Sequence, residues 1–492
     1  MKVPLIFGCV GHIDIEENDE LREKVRSIFL KYMSKYKNSD FYLITSLAEG
    51  ADLLVSEVAN ELGIFLHIIL PYDEKEYLQT FKNSNNINRY YKLKSVAKKF
   101  EIIKYNSEKK EDLYFEAAKR MVTLSNIIIS LWDKKFNNKK GGTSSIIKYL
   151  ENKNLNDNLL KILYIIETPR LKDNVEKKYD IEKKEYKMFS KNGIYNIFKY
   201  IDDLNKNVNN VNFNFFDKLA IKYQKLYYIV SLLILFFVFI GVVAYEYNTD
   251  FNFKLITTFI YILMVVLSYV IYYYFIKLKK INEKFLLSRF IAECLRIQSN
   301  FNYLNINKNI SEMIFFDDII KFNWIKVLIN NIAYLSYIKN DFFVTPKVWV
   351  KNQIDYFDDA IKKREKKIRI IKNIENFFKL LGIIVIIILL GAVFIYNFFD
   401  LNILNLPFSI MIFLSAFFFT IYIFLEEYLK ILQYKEEIYN FKLMKKIYIN
   451  YEKHYSNIDE TDLVIELSKK AVDEIVRWFE FHYNSVIKIK FY

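Results

Sequence analysis

Three short stretches carry residues whose types and spacing suit the binding of an anion. They are Gly8-Cys9-Val10-Gly11-His12, Ser46 through Asp52, and Trp132-Asp133 followed by Gly141-Gly142-Thr143-Ser144-Ser145. Each joins the end of an apolar run to glycine or small polar residues. Glycine lets a backbone approach a phosphate closely, and a turn that opens a helix points unpaired N–H groups outward. The candidate ligand contacts are Gly8, Gly11, His12, Ser46, Glu49, Gly50, Asp52, Asp133, Gly141, Gly142 and Thr143. Glu49 and Asp52, near a helix start, suit ribose hydroxyls; they suit capping of that helix equally well. The GxxG spacing also describes an ordinary tight turn.

Catalytic and metal chemistry find little support. The four histidines, His12, His67, His454 and His482, are scattered, and no Cys/His metal spacing or Ser-His-Asp order gathers near one site. Cys9 and Cys294 are too few for a disulfide framework, so reduced or buried thiols are expected. No catalytic set, metal site or bound cofactor is read. The ligand expected is a nucleotide-derived small molecule.

The elements that must position these loops alternate. Apolar runs at 4–10, 41–45, 65–70, 100–105, 126–132 and 159–166 read as strands. Helical periodicity covers 21–33, 51–62, 74–81, 112–124 and 143–150. The alternation predicts an α/β Rossmann-like domain over 1–170 with a mostly parallel sheet, its ligand at the carboxyl ends of the strands. The amino-terminal apolar run is too short for a secretory segment and reads as the first strand.

A charged stretch, 171–210, reads as a linker with helical periodicity returning from 195. Four uncharged apolar runs follow at 226–245, 255–276, 380–399 and 406–425. Each has about 20 residues, enough to cross the ~30 Å hydrocarbon core. The pattern predicts an all-α membrane region of two hairpins with cytoplasmic helices, divided as 211–350 and 351–492.

The net charge of +14 is mostly lysine and clusters beside these runs. Lys277, Lys279, Lys280 and Lys284 follow the second; Lys362 through Lys379 precede the third; Lys430 through Lys446 follow the fourth. The short loops 246–254 and 400–405 hold one basic residue and none. The positive-inside rule then places both termini and the central segment in the cytoplasm. The same clustering favours a lipid bilayer over nucleic acid as the partner. Abundant Lys, Asn, Ile, Tyr and Phe suggest an AT-rich bacterial source, hence the inner membrane. The spans contain no Asp, Glu, Lys, Arg or His, which argues against ion-coupled transport. Their few hydroxyls, among them Ser231, Ser268, Ser409, Ser415 and Thr420, suit interhelical hydrogen bonds.

Taken together, Gly8–His12, Ser46–Asp52, Leu70-Pro71, Asp133 and Gly141-Gly142-Thr143 resemble the SLOG domain, a Rossmann-like group related to the LOG enzymes. The helix around Arg289, Glu293 and Arg296, Trp324, the stretch from Trp349 to Tyr356 and the closing helix with Trp478 resemble bacterial SLOG proteins with SLATT-like two-span hairpins. The resemblance implies a homo-oligomeric, pore-forming effector of antiphage signalling. It would sense an ADP-ribose-like or other nucleotide second messenger, supplied by an enzyme encoded nearby. Gly142-Thr143 is followed by Ser144-Ser145-Ile146, without the second Gly–Thr pair and Glu of the LOG motif PGGxGTxxE. That departure argues against phosphoribohydrolase activity. A membrane-tethered hydrolase using Glu49, His12 and Asp133, and a scaffold recruiting a cytoplasmic partner, are the alternatives.

Overall fold

The computed structural model describes residues 2–103, 105, 107–137, 140–151, 161–172, 179–186, 193–208, 211–251, 254–304, 306, 308–316, 322, 324–339, 345–399, 408–454 and 460–484. The expected loop 400–405 lies outside the described residues, as do the start of the fourth expected span and parts of the expected linker, 173–178 and 187–192.

Seven strands form one sheet in the order β4-β3-β2-β1-β5-β6-β7. They are β1 (Leu5–Gly11), β2 (Phe41–Thr45), β3 (Phe65–Leu70), β4 (Lys99–Ile102), β5 (Ile127–Trp132), β6 (Lys161–Glu167) and β7 (Ile181–Tyr186). All neighbouring pairs are parallel except β6 with β7. The central strands are buried on both faces, which is why they read as continuous apolar runs. Helices α1 (Asp19–Lys35), α2 (Ala51–Glu61), α3 (Glu74–Leu78), α4 (Ser84–Val96), α5 (Lys110–Leu124) and α6 (Thr143–Glu151) connect them.

The α/β class and mostly parallel sheet are as expected, with three local corrections. Helix α4 was not foreseen, because its sequence NNINRYYKLK has a weak apolar stripe and buries only Tyr90 and Leu93. Strand β7 lies in the expected linker; its run IEKKEY carries its charges on a sheet edge, where lysine and glutamate discourage further pairing. Helix α7 (Gly193–Asn207) also lies there and docks, with Val3 N donating to Asn205 Oδ1 at 2.6 Å and Asn38 N donating to Asp202 Oδ1 at 2.8 Å.

Beyond it run α8 (Phe213–Phe251), α9 (Lys254–Ile271, continued by a π-helical turn Tyr272–Leu278), α10 (Ile281–Tyr303), α11 (Trp324–Lys339), α12 (Pro346–Phe399), α13 (Phe408–Leu432), α14 (Tyr434–His454) and α15 (Glu460–Asn484). Four helical segments are long and apolar enough to cross a membrane: Phe213–Asn248, Leu255–Tyr303, Pro346–Ile395 and Phe408–Lys453. Only 6 to 28% of each most apolar window is buried within the protein itself. Exposed apolar surface on that scale needs an apolar solvent.

The chain divides into two compact units. One is Met1–Phe215 with Ile291–Thr345; the other is Phe216–Phe290 with Pro346–Tyr492. The sequence segmentation grouped 291–345 with the first hairpin, whereas the structure groups it with the sheet. The expected loop 246–254 is largely helix: α8 runs to Phe251 and α9 starts at Lys254. Within α8, Glu246 accepts a hydrogen bond from Thr420 Oγ1 at 3.1 Å.

Candidate functional site

The strand order reverses at β1, which has β2 on one side and β5 on the other. In an open parallel sheet such a reversal leaves a crevice outside the carboxyl ends of the two strands. The residue at the end of β1 is His12. Its backbone N–H donates to Leu131 O at 3.1 Å, and its ring Nε2 lies 3.0 Å from Asp133 Oδ1, just past β5. Both side chains are almost wholly buried. Arg170, just past β6, donates from Nε to Asp133 Oδ2 at 3.0 Å. Its second guanidinium nitrogen lies 3.4 Å from His12 Nδ1, and its third lies 3.8 Å from Asp14. The Lys135 N–H donates to Asp133 Oδ1 at 3.0 Å.

The shorter of two contacts selects the tautomer of His12. Nε2 is also 3.3 Å from the Asp133 N–H, and it cannot both donate and accept. The shorter contact assigns Nε2–H to the carboxylate and leaves Nδ1 to accept from Arg170. Burial by itself would raise the Asp133 carboxyl. Hydrogen bonds from His12, the Lys135 N–H and Arg170 outweigh burial and hold it below the usual carboxylate range. The cluster pins together the loops after β1, β5 and β6. Arg170 is about one-third exposed, so its outer face can meet an anion.

The loop after β2 has a different internal economy. The buried Asp52 turns back into its own turn, with Oδ2 accepting from Ser46 N at 3.3 Å and Ala48 N at 3.5 Å. Its other oxygen faces the Cys9 thiol at 3.6 Å. Burial, partly offset by those bonds, pushes the Asp52 carboxyl up to about 6. Leu47 N donates to Thr45 Oγ1, and Ser46 Oγ donates to Ile69 O at 2.9 Å. At the start of α2 the Ala51 N–H donates to His12 O at 3.0 Å. Much of the donor set that made this turn an anion candidate is therefore consumed inside the fold. Glu49 is consumed as well. Its carboxylate accepts from Lys82 N, Asn83 N and Asn86 Nδ2, all at 3.0 Å, and so stabilises the start of α4. A general base already holding those donors is poorly placed for hydrolysis.

The glycines sort by what a side chain would meet. At Gly50 (φ +72°) a Cβ would lie 2.5 Å from Ile13 O, so the β1–α1 loop crosses the helix start at backbone contact. At Gly11 it would lie 2.2 Å from Ala51 Cβ. Gly8 is interior to β1, where a Cβ would strike Met121 of α5 and Ser125 just after it; it is a packing position away from the crevice. Gly141 (φ +78°) sits against Glu111 and Tyr114, and Gly142 O accepts from Ser145 N and Ile146 N to open α6. Ser144 Oγ donates to Asn137 Oδ1 at 2.7 Å and ties down the approach to α6. Thr143, partly exposed, stands at that helix start.

The structure thus gathers Gly11, His12, Gly50 and Asp133 at the crevice. It sets Ser46, Glu49 and Asp52 into loop architecture and Gly141, Gly142 and Thr143 at the neighbouring start of α6. Arg170 and Asp14 were not foreseen. A cation two residues after the strand end at Thr168-Pro169 was the available signal. Among the described residues no group of His, Cys, Asp and Glu could hold a metal ion.

What fold and site define together is a class: a Rossmann-like α/β unit in one chain with four helices able to cross a membrane. No family model matches the chain, and no curated protein matches it.

Proposed function

We propose that this protein is a membrane effector. The crevice at the carboxyl edge of the sheet binds a nucleotide-derived signal, and the four spans respond by opening or disrupting the bilayer. The observation that carries the reading is the His12–Asp133–Arg170 cluster at the point where strand order reverses. A ligand phosphate would compete with Asp133 for Arg170 and so loosen three loops at once. The basic flanks of the spans support an inner-membrane location with cytoplasmic termini. The resemblance to SLOG and SLATT-like proteins supports a homo-oligomer in antiphage signalling, fed by a signal-producing enzyme. The ligand has to bind the open assembly more tightly than the closed one, or no shift results.

The test is equilibrium binding of ADP-ribose, NAD, nucleoside diphosphates and cyclic dinucleotides to the full chain in lipid nanodiscs. One of these classes binds the wild type, and Arg170→Ala weakens that binding tenfold or more. Equal binding by the variant, or no binding of any probe, contradicts the site. Turnover of a probe that vanishes in Glu49→Gln would favour a hydrolase instead.

A further inference from the structure

Within the second unit a groove opens where α12, the α13–α14 turn and the end of α15 meet. Two cavities of about 480 and 270 Å³ share Lys435, Glu436 and Phe481 as lining residues and so form one continuous groove. Four cations line it, Lys372, Lys430, Lys435 and Arg477, against the carboxylates of Glu426 and Glu436. Lys430 is paired with Glu426 and Glu427, and Lys372 with Glu375. Lys435 and Arg477 pair with no carboxylate among the described residues, and Arg477 Nε donates to Asp473 O at 3.2 Å. The groove therefore holds two cations without a carboxylate partner among the described residues, one of them a guanidinium suited to phosphate.

Its depth along the helices is informative. Lys430 lies five residues beyond the apolar run 406–425, about 8 Å, Lys372 eight residues before 380–399, about 12 Å, and Lys435 ten residues beyond 425, about 15 Å, from where its side chain reaches back toward the headgroups. Headgroups occupy roughly the first 5–8 Å outside the hydrocarbon core, and lysine side chains reach further. Tyr439 and Phe481 are exposed at the groove, as aromatic residues often are at a membrane interface. The α13–α14 turn that shapes it is held at Gln433, a non-glycine residue at φ +50°.

We propose that this groove binds a phosphate ester through Lys435 and Arg477, at the outer edge of the phospholipid headgroup layer. It is separate from the crevice of the sheet and does not depend on that reading. A bound headgroup would bridge α14 and α15 beside the third and fourth spans, so the lipid would act as a structural ligand of the second hairpin.

The experiment uses the full chain in a neutral detergent. Thermal unfolding is followed while dioleoylphosphatidylglycerol, dioleoylphosphatidylcholine or sn-glycerol 1-phosphate is titrated in. The account expects phosphatidylglycerol to raise the midpoint, with an apparent affinity at least tenfold weaker in Lys435→Glu/Arg477→Glu. The control Lys446→Glu/Lys469→Glu makes the same charge change at exposed sites outside the groove and stays within twofold of wild type. If glycerol phosphate alone gives the same variant-sensitive shift, the source of the ester is soluble and the site stands. Equal phosphatidylglycerol affinity in both double variants overturns the proposal, as does the absence of a shift with either phosphate. Size-exclusion profiles of both variants verify that the chain remains folded.

Discussion

The two edges of the sheet are built from different polar chemistry. At the carboxyl edge, charged side chains from three loops hold one another: His12, Asp133 and Arg170, with Asp14 nearby. At the amino edge the partners are mostly neutral amides, beside one buried lysine, Lys161, whose Nζ donates to Thr123 O at 2.9 Å and to Ser125 O. Asn126 and Asn331 exchange two hydrogen bonds, both at 2.9 Å; Asn331 Nδ2 also donates to Pro4 O, and Asn126 Oδ1 also accepts from Ile6 N. Asn330 extends the network to Leu124 O and to Asn309. The buried His67 meets Tyr334 of the same helix, α11, at 2.9 Å. The amino edge is sealed by a helix that returns to the sheet late in the chain. At the carboxyl edge the side chains that join the loops after β1, β5 and β6 are charged, and an anion can compete for them. A fold that seals one edge with saturated amides and clamps the other with ions leaves the second as the place where a ligand can act.

The sharpest way to break this comparison is at the amino edge. Asn331→Leu strands the Asn126 amide and Pro4 O inside the protein, where each unsatisfied group costs about 1–3 kcal/mol. Thermal unfolding of the detergent-solubilised chain should show the largest loss of stability of any change considered, with nucleotide affinity unaltered wherever the chain is still folded.

The two carboxylates of the carboxyl edge offer the next test, because their pH signatures have opposite sign. Asp52 is raised from 3.8 to about 6. Folding therefore favours its neutral form, and its contribution falls as pH rises from about 4 to 6. At about 1.36 kcal/mol per unit this is about 3 kcal/mol, and Asp52→Asn should flatten that part of the stability profile. Asp133 is held below its ordinary value. Its contribution is present above the unfolded carboxylate value of 3.8 and is lost as pH falls through the lower folded value. Asp133→Asn should remove that acid limb and leave the slope between pH 4 and 6 intact. Melting midpoints measured across pH 2 to 8 separate the two.

Gly50→Ala combines a positive φ with a 2.5 Å approach to Ile13 O and should cost about 2 kcal/mol in the same melting assay. It acts on the carboxyl edge and so should weaken ligand binding too. The smallest effect is expected at Arg289, on the helix that carries Arg289, Glu293 and Arg296. There Arg296 meets Glu293, whereas Arg289 reaches Asp217 at 3.2 Å and Tyr356 at 3.3 Å. As a partly exposed ion pair, Arg289 should contribute less than about 1 kcal/mol, measured by Arg289→Ala.

Much of the fold was legible because burial on both faces makes strands into plain apolar runs; β2 and β3 have the residue bounds read from the sequence. β7 was not, since an edge strand needs only one paired side and tolerates IEKKEY. The docking of α11 was hidden for another reason. It is made by asparagines, whose partners lie about 200 to 330 residues away and leave no periodic trace. At the candidate site the loops were legible and the individual roles were not. Gly8 and Gly11 look alike in sequence, yet one faces α5 and the other α2. Whether Glu49 faces a ligand or a backbone depends on where α4 lies, and its weak pattern gave no warning.

The central claim is that a nucleotide at the carboxyl edge controls the membrane part, and proteoliposome leakage tests it most directly. The full chain is reconstituted with entrapped carboxyfluorescein and exposed in turn to ADP-ribose, NAD and cyclic dinucleotides. The account predicts dye release with one of these ligands and its loss in Arg170→Glu. Silence with every ligand, or release that Arg170→Glu leaves unchanged, would contradict it.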